Sequence, residues 1–209
     1  KDGCIEQDPG KMIRSAFSCL KKAVSSSRVD PRRITAVSVA SQRASVICVD
    51  SRGRPVGNVI SWQDMRGGQE TERLGSLIDD KSYYGMTGVP NNPVFSLSKI
   101  LWLKKNRPSL YKRCAKFVLV GDHFLKQLGS ETFLSDLSNA SLTGMLDITR
   151  LKWSDDILGA AGIEKERLCS LVPSGKVVGG ISAAVSRKCG LPEGTLVVSG
   201  GGDQQCAGI

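Results

Sequence analysis

The chain has 209 residues, 40% of them hydrophobic and 23% charged, and no apolar run approaches the roughly 18 residues of a membrane span, so it reads as a globular chain of one or two domains with no bilayer segment. Its formal charge of +9 is spread over short basic runs, "DPRR" (30–33), "LKKNRPSLYKR" (103–113) and "EKER" (164–167), and with aromatic residues at only 5% this describes solvated helix faces rather than a nucleic-acid interface. Seven cysteines without a CxxC pair and a single histidine, His123, argue against a structural zinc site and for small core thiols in a reducing cytoplasm.

The first legible element is "DPGKMIRSAFSCLKKAVSSS" (8–27). Asp8 suits a helix N-cap and Pro9 the first turn, while Ile13, Phe17, Leu20 and Val24 recur at helical spacing, which predicts an amphipathic helix. "RITAVSVASQ" (33–42) is apolar and β-branched and reads as a strand. "ASVICVDSRGRPVGNVISW" (44–62) reads as a hairpin turning at "DSRGRP". Helical patterns follow over 68–79 and 96–106, the second stopped by Pro108; 116–120 is a short buried strand and 122–129 a capped helix. Towards the end, 181–190 is a helix with Gly190 at its C-terminal cap, and "GTLVVSGGGD" (194–203) is a strand feeding a loop. Helices and strands in this order predict an α/β domain with a largely buried sheet.

Two polar clusters interrupt these patterns. Glycines 200–202 permit positive φ and close approach of a phosphate or sugar to bare backbone, and Asp203 follows them at a strand's carboxyl end, where ligands collect in open α/β sheets. Asp203 suits either a helix cap or a catalytic carboxylate, and the two roles are compatible. The second cluster is "SQRAS" (41–45), with Gln42 and Arg43, together with "SWQDMR" (61–66), with Trp62, Asp64 and Arg66. A guanidinium fork binds paired oxygens and an indole face suits the C–H side of a sugar, although Asp64 and Arg66 alone would equally make a local ion pair.

In five ordered segments the chain resembles the FGGY carbohydrate kinases: "EQDPGKM" (6–12), "VSVASQRASVICVDSRGRPVGNVISWQDMR" (37–66), "TGVPNNPVFSLSKILWLKKNRPSLY" (87–111), "FLSDLSNASLTGMLDITRLKWSDDIL" (133–158) and "GLPEGTLVVSGGGDQQCAGI" (190–209). The resemblance implies an actin-like ATPase, ribonuclease H-like domain, a mixed sheet flanked by helices, and a cleft where a sugar or polyol meets ATP and Mg²⁺. It implies that Asp203 is the catalytic base, that Arg43 and Gln204 bind substrate with Gln42, Trp62 and Asp64 beside them, and that Gly201 and Gly202 face the cofactor. Ala44 and Val94 depart from the pattern of the family's glycerol kinases, so the resemblance leaves the sugar unnamed. It further implies an opening Asp-x-Gly-Thr hairpin before Lys1 and a nucleotide-binding domain after Ile209. The 209-residue piece is accordingly expected to be inactive, with homo-oligomers possible, and a non-catalytic sugar-binding protein on the same fold is the alternative. No GxxxxGK[ST] loop is present, in keeping with an actin-like phosphate site.

Overall fold

The computed structural model describes residues 3–208. After β1 (Glu6–Gln7) the chain enters α1 (Pro9–Ser26), where Asp8 accepts from the Lys11 N–H at 2.9 Å and so satisfies one of the free N–H groups of the first turn. Phe17 and Val24 are buried, and with Ile13 and Leu20 they turn one face of α1 into an apolar layer containing Leu125, Leu128, Ile181, Leu191 and Val197. This is the stripe that the spacing predicts.

The expected strand over 33–42 is two short pieces, β2 (Ala36–Val37) and β3 (Ala40–Ser41). The break has a packing cause. Gly200 presses on the Val39 carbonyl so closely that no Cβ would fit, and the ladder shifts there from one strand pair to the next. β4 (Val46–Val49) and β5 (Val59–Ile60) form the expected hairpin, with Val46 opposite Ile60. Its turn is closed by Asp50, whose carboxylate accepts from the N–H groups of Arg52 and Arg54. β4 is buried on both faces: Val46 and Cys48 join one apolar cluster, Ile47 and Val49 another, which explains a strand without polar alternation.

Four helices follow, α2 (Gly68–Gly75), α3 (Asp80–Thr87), α4 (Ser96–Asn106) and α5 (Pro108–Arg113). Leu74, Tyr83, Leu97, Ile100, Leu103 and Tyr111 from these helices pack with Val46, Cys48 and Ile60. Pro108 does more than stop α4: it opens α5, where its missing N–H costs nothing. β6 (Lys116–Leu119) lies antiparallel to β4, giving a four-stranded sheet in the order β1–β5–β4–β6. α6 (Val120–Leu128) begins two residues ahead of the expected 122, and Asp122 sits inside its first turn, accepting from the Leu119 N–H at 2.9 Å.

Then come β7 (Leu134–Asp136), α7 (Leu137–Ala140), the hairpin of β8 (Leu146–Asp147) and β9 (Lys152–Trp153), α8 (Asp155–Ala161) and β10 (Ser170–Val172), which pairs in parallel with β7. β11 (Val177–Gly180) is followed by α9 (Ala183–Cys189), capped at its start by Ser182 and, as expected, at its end by Gly190 at φ +80°. β12 (Leu196–Val198), β13 (Gly201–Gly202) and α10 (Asp203–Ala207) complete the described chain. β12 lies between β11 and β2, antiparallel to the first and parallel to the second. The mixed α/β class holds, but the sheet is divided: four strands, three strands and three two-stranded pieces, with helices against them. Four cysteines are buried as expected, whereas Cys4, Cys19 and Cys206 are exposed and belong to no core.

Candidate substrate cleft

The cleft forms where β3 and β13 end side by side, Ala40 opposite Gly201 and Ser41 opposite Gly202. Beyond β3, Ala44 adopts the left-handed conformation at φ +59° and is fully buried; the turn it makes leaves Gln42 and Arg43 half-exposed before the chain enters β4. Beyond β13, Gly202 is the N-cap of α10 and Asp203 its first residue. Ser138 from α7 holds this junction by accepting from the Gly202 N–H at 2.8 Å.

The side chains converge from there. Arg43 donates through Nη2 to Gln204 Oε1 at 3.2 Å, joining segments 161 residues apart. Asp203 Oδ1 accepts from the Gln204 N–H at 2.9 Å, and no cation pairs with this exposed carboxylate among the described residues. Gln42 donates to Gln7 Oε1 at 2.9 Å. Trp62 is anchored through its N–H on Ser45 Oγ at 2.9 Å, while the residue stays 43% exposed. Together they line a cavity of about 230 Å³ whose other walls are Ala44, Val94 and Leu142. The arrangement offers one carboxylate, one guanidinium and two amides against an apolar and aromatic surface. A guanidinium and amides can hydrogen-bond hydroxyls, and an indole face suits a C–H surface. Leu142 went unforeseen, since it follows no periodic pattern and reaches the cleft only through the turn after α7.

Three expectations are corrected. Asp64 is not in the cleft: it is completely buried, and its oxygens are taken by the N–H groups of Ile5 and Arg66 and by the Arg66 side chain at 2.9 and 2.7 Å. Burial opposes its charge, yet the hydrogen bonds from Arg66 and Ile5 hold its carboxyl below the usual range. Arg66 also reaches Glu6 at 2.8 Å and lies over the Trp102 ring at 4.7 Å, so this network secures the start of the chain to the 61–66 loop. Gly201 and Gly202 are buried and have no positive φ; a Cβ on Gly202 would strike the Arg43 side chain, and one on Gly201 would crowd Cys206 and Ser138. The space a Cβ would need at these glycines is taken by the protein's own side chains. Asp203, finally, follows the cap instead of forming it, because Gly202 occupies that place.

A larger depression of about 320 Å³ between α2, α4 and α8 is apolar in its middle. Among its polar groups Lys104 donates to the carbonyls of Ala161 and Gly162, and Glu70 Oε1 pairs with Lys105 at 3.4 Å. Among the described residues no group of three or more His, Cys, Asp or Glu is placed to hold a metal ion, and no helix is long and apolar enough to cross a membrane.

The family model for the N-terminal domain of the FGGY carbohydrate kinases matches residues 1–209. The chain is 31% identical over 212 residues to an autoinducer-2 kinase of Salmonella choleraesuis strain SC-B67, covering 99% of this chain and 39% of that protein. The structure of a ligand-bound xylulose kinase from Lactobacillus acidophilus superposes with a TM-score of 0.89 at 25% identity, covering 97% of this chain and 41% of the other. The fold is shared also with Plasmodium falciparum glycerol kinase with ADP, at a TM-score of 0.88, 22% identity and coverage of 99% and 42%. The chain therefore belongs to the FGGY family of carbohydrate kinases, whose N-terminal domain it matches along its length.

Proposed function

We propose that this domain is the acceptor-binding half of an ATP-dependent carbohydrate kinase, in which Arg43, Gln204 and Gln42 hold the hydroxyls of a sugar or polyol, Trp62 lies against its C–H face and Asp203 is the general base. The observation that carries the reading is the convergence of Asp203, Arg43, Gln204 and Trp62 on one cleft from separate parts of the chain. Asp203 is an exposed residue of that lining, and among the described residues its carboxylate accepts only from the adjacent Gln204 N–H. It is therefore available to take the proton of an acceptor hydroxyl as that oxygen becomes a nucleophile, a contribution worth roughly 10²–10⁴ in rate. Arg43 fixes the acceptor's orientation, which matters because phosphoryl transfer depends on alignment more than on covalent help.

ATP with Mg²⁺ would supply the phosphoryl group. The described residues suit the acceptor and not the nucleotide, since the buried β13 glycines leave no cradle for phosphates. The nucleotide belongs to a further domain of a longer protein, in keeping with the 39% of the autoinducer-2 kinase that the chain spans. The free thiols fit a reducing cytoplasm. The names of relatives, kinases of autoinducer-2, xylulose and gluconate, support an acceptor that is a small hydroxylated molecule.

The test is the full-length protein with ATP against a panel of polyols, ketoses and sugar acids, followed by Asp203→Asn. The variant should keep its melting temperature and its acceptor affinity but lose about 100-fold or more in kcat. Near-normal turnover would remove Asp203 from the chemistry. Acceptor binding by calorimetry without turnover in the unmodified protein would establish the non-catalytic alternative.

A further inference from the structure

Lys99 is fully buried, although it lies on a helix whose Lys104 and Lys105 are exposed. An ammonium taken from water needs compensation, and burial pulls its pKa down to about 8, with Asp64 opposing and Arg66 adding to the fall. The compensation is local. Nζ donates to the Pro93 carbonyl at 3.0 Å, the Val94 carbonyl at 2.6 Å and the Phe95 carbonyl at 3.3 Å, matching three donors to three consecutive acceptors. Ser98 Oγ lies 2.7 Å from the Pro93 carbonyl and 2.9 Å from that of Phe95. From the other side Asn92 Oδ1 accepts from the Val94 N–H at 2.9 Å, and the Asn92 carbonyl accepts from the Phe95 N–H at 3.2 Å.

The segment 93–95 precedes α4 and contributes Val94 to the cleft. With Pro90 and Pro93 nearby it has few N–H groups with which to hold its own shape, and the Lys99 and Ser98 side chains provide the missing donors. The same turn of α4 also touches the loop that carries another lining residue: Gly67 packs on Ser98 with no space for a Cβ, and Trp62 lies five residues before Gly67. Two of the lining segments, those carrying Val94 and Trp62, thus contact residues 98–99.

We propose that Lys99 is a positioning residue of the acceptor cleft: with Ser98 it clamps the carbonyls of residues 93–95 and so fixes Val94 as a rigid wall that limits the substituent an acceptor can carry on that side. The proposal rests on the reading of the cleft as the acceptor site. Lys99 touches no substrate, and its effect passes through Val94.

The experiment is a double-mutant cycle in the full-length kinase with Lys99→Met and Val94→Ala, measuring KM and kcat for the best acceptor, KM for ATP and the melting temperature. Lys99→Met should raise the acceptor KM by about 10-fold while kcat changes by less than about threefold and the KM for ATP stays the same. It should also narrow the preference between that acceptor and a bulkier analogue. Adding Val94→Ala to Lys99→Met should change the acceptor KM little further, because the wall is already displaced. If the two effects multiply to within about twofold, the sites are independent and the clamp is refuted. If Lys99→Met does not melt cooperatively, Ser98→Ala takes its place in the same cycle, with about a threefold KM effect expected and the same multiplicative result refuting the idea. Should the unmodified protein neither bind nor phosphorylate any acceptor of the panel, the reading of the cleft fails and the clamp falls with it; binding without turnover moves the same cycle to Kd by calorimetry, and effects that multiply there, or in KM, remove the clamp alone.

Discussion

Arg66→Met tests whether Asp64 holds the fold together or serves the substrate. The change keeps an apolar stem against Trp102 but removes the guanidinium, and with it the two bonds to Asp64 at 2.9 and 2.7 Å, the contact with Glu6 at 2.8 Å and the charge over the indole at 4.7 Å. The Glu6 contact is to a half-exposed side chain and contributes at most about 1 kcal/mol. The Asp64 contact differs, because that carboxylate has no exposure and would keep only the N–H groups of Ile5 and Arg66. Stranding a buried charge costs about 3–5 kcal/mol, a large part of the 5–15 kcal/mol that holds a domain together. Asp64→Asn in the same chain removes the charge and leaves an amide oxygen for the Ile5 N–H, so the double variant should recover about 2 kcal/mol of the loss. Urea unfolding followed by tryptophan fluorescence measures both. Because Asp64 is held below its unfolded value of 3.8, its contribution is present above pH 3.8 and is lost as pH falls through the lower folded pKa; the deficit of Arg66→Met should shrink in acid. A cost below about 1 kcal/mol, or a double variant less stable than Arg66→Met, would refute the reasoning.

Asp122 behaves in the opposite sense. Burial raises its pKa to about 7, against the Leu119 N–H that stabilises the charge. Between about pH 4 and 7 the folded state then keeps a proton that the unfolded chain has released, so stability should fall as pH rises through that window by a few kcal/mol and level off above it. Asp122→Asn should flatten the profile and be the more stable form at pH 8; parallel slopes for the two proteins in urea titrations would show that Asp122 ionises normally. Gly202→Ala should fold, since φ −62° and ψ 144° suit alanine, but its Cβ would displace Arg43 from Gln204 and weaken acceptor binding by roughly 10-fold in calorimetry. Unchanged affinity would place Arg43 outside the acceptor site.

What the sequence reveals of this fold follows from how local each signal is. The first helix, the 44–62 hairpin and the helix at 96–106 announce themselves through caps, turn residues and periodicity contained within twenty residues. Helix 80–87 escapes because Tyr83 is the chief anchor of a weakly patterned turn pair, its hydroxyl donating to the Gly144 carbonyl at 2.9 Å far along the chain. The break at 38–39 is equally hidden, since it depends on Gly200 pressing on Val39. In the cleft, Arg43, Trp62 and Asp203 stand out as polar or aromatic groups at strand ends, whereas the same signal misplaces Asp64, whose oxygens are taken up by Arg66 and by Ile5, 59 residues earlier in the chain. Gly201 and Gly202 mislead for a related reason: a glycine shows that something comes close, but not whether that neighbour is a ligand or the protein's own arginine.

The pairing of β3 with β13 also imposes an order on synthesis. Arg43 leaves the ribosome 161 residues ahead of Gln204, so at about 5–20 residues per second the front of the cleft waits on the order of ten to thirty seconds for its back. During that interval Ala40 and Ser41 have no Gly201 and Gly202 to pair with, and the nascent chain carries an open strand edge beside apolar side chains. The contact between Arg43 and Gln204 likewise forms only after the second half has been made, so until then the cavity lacks one of its sides.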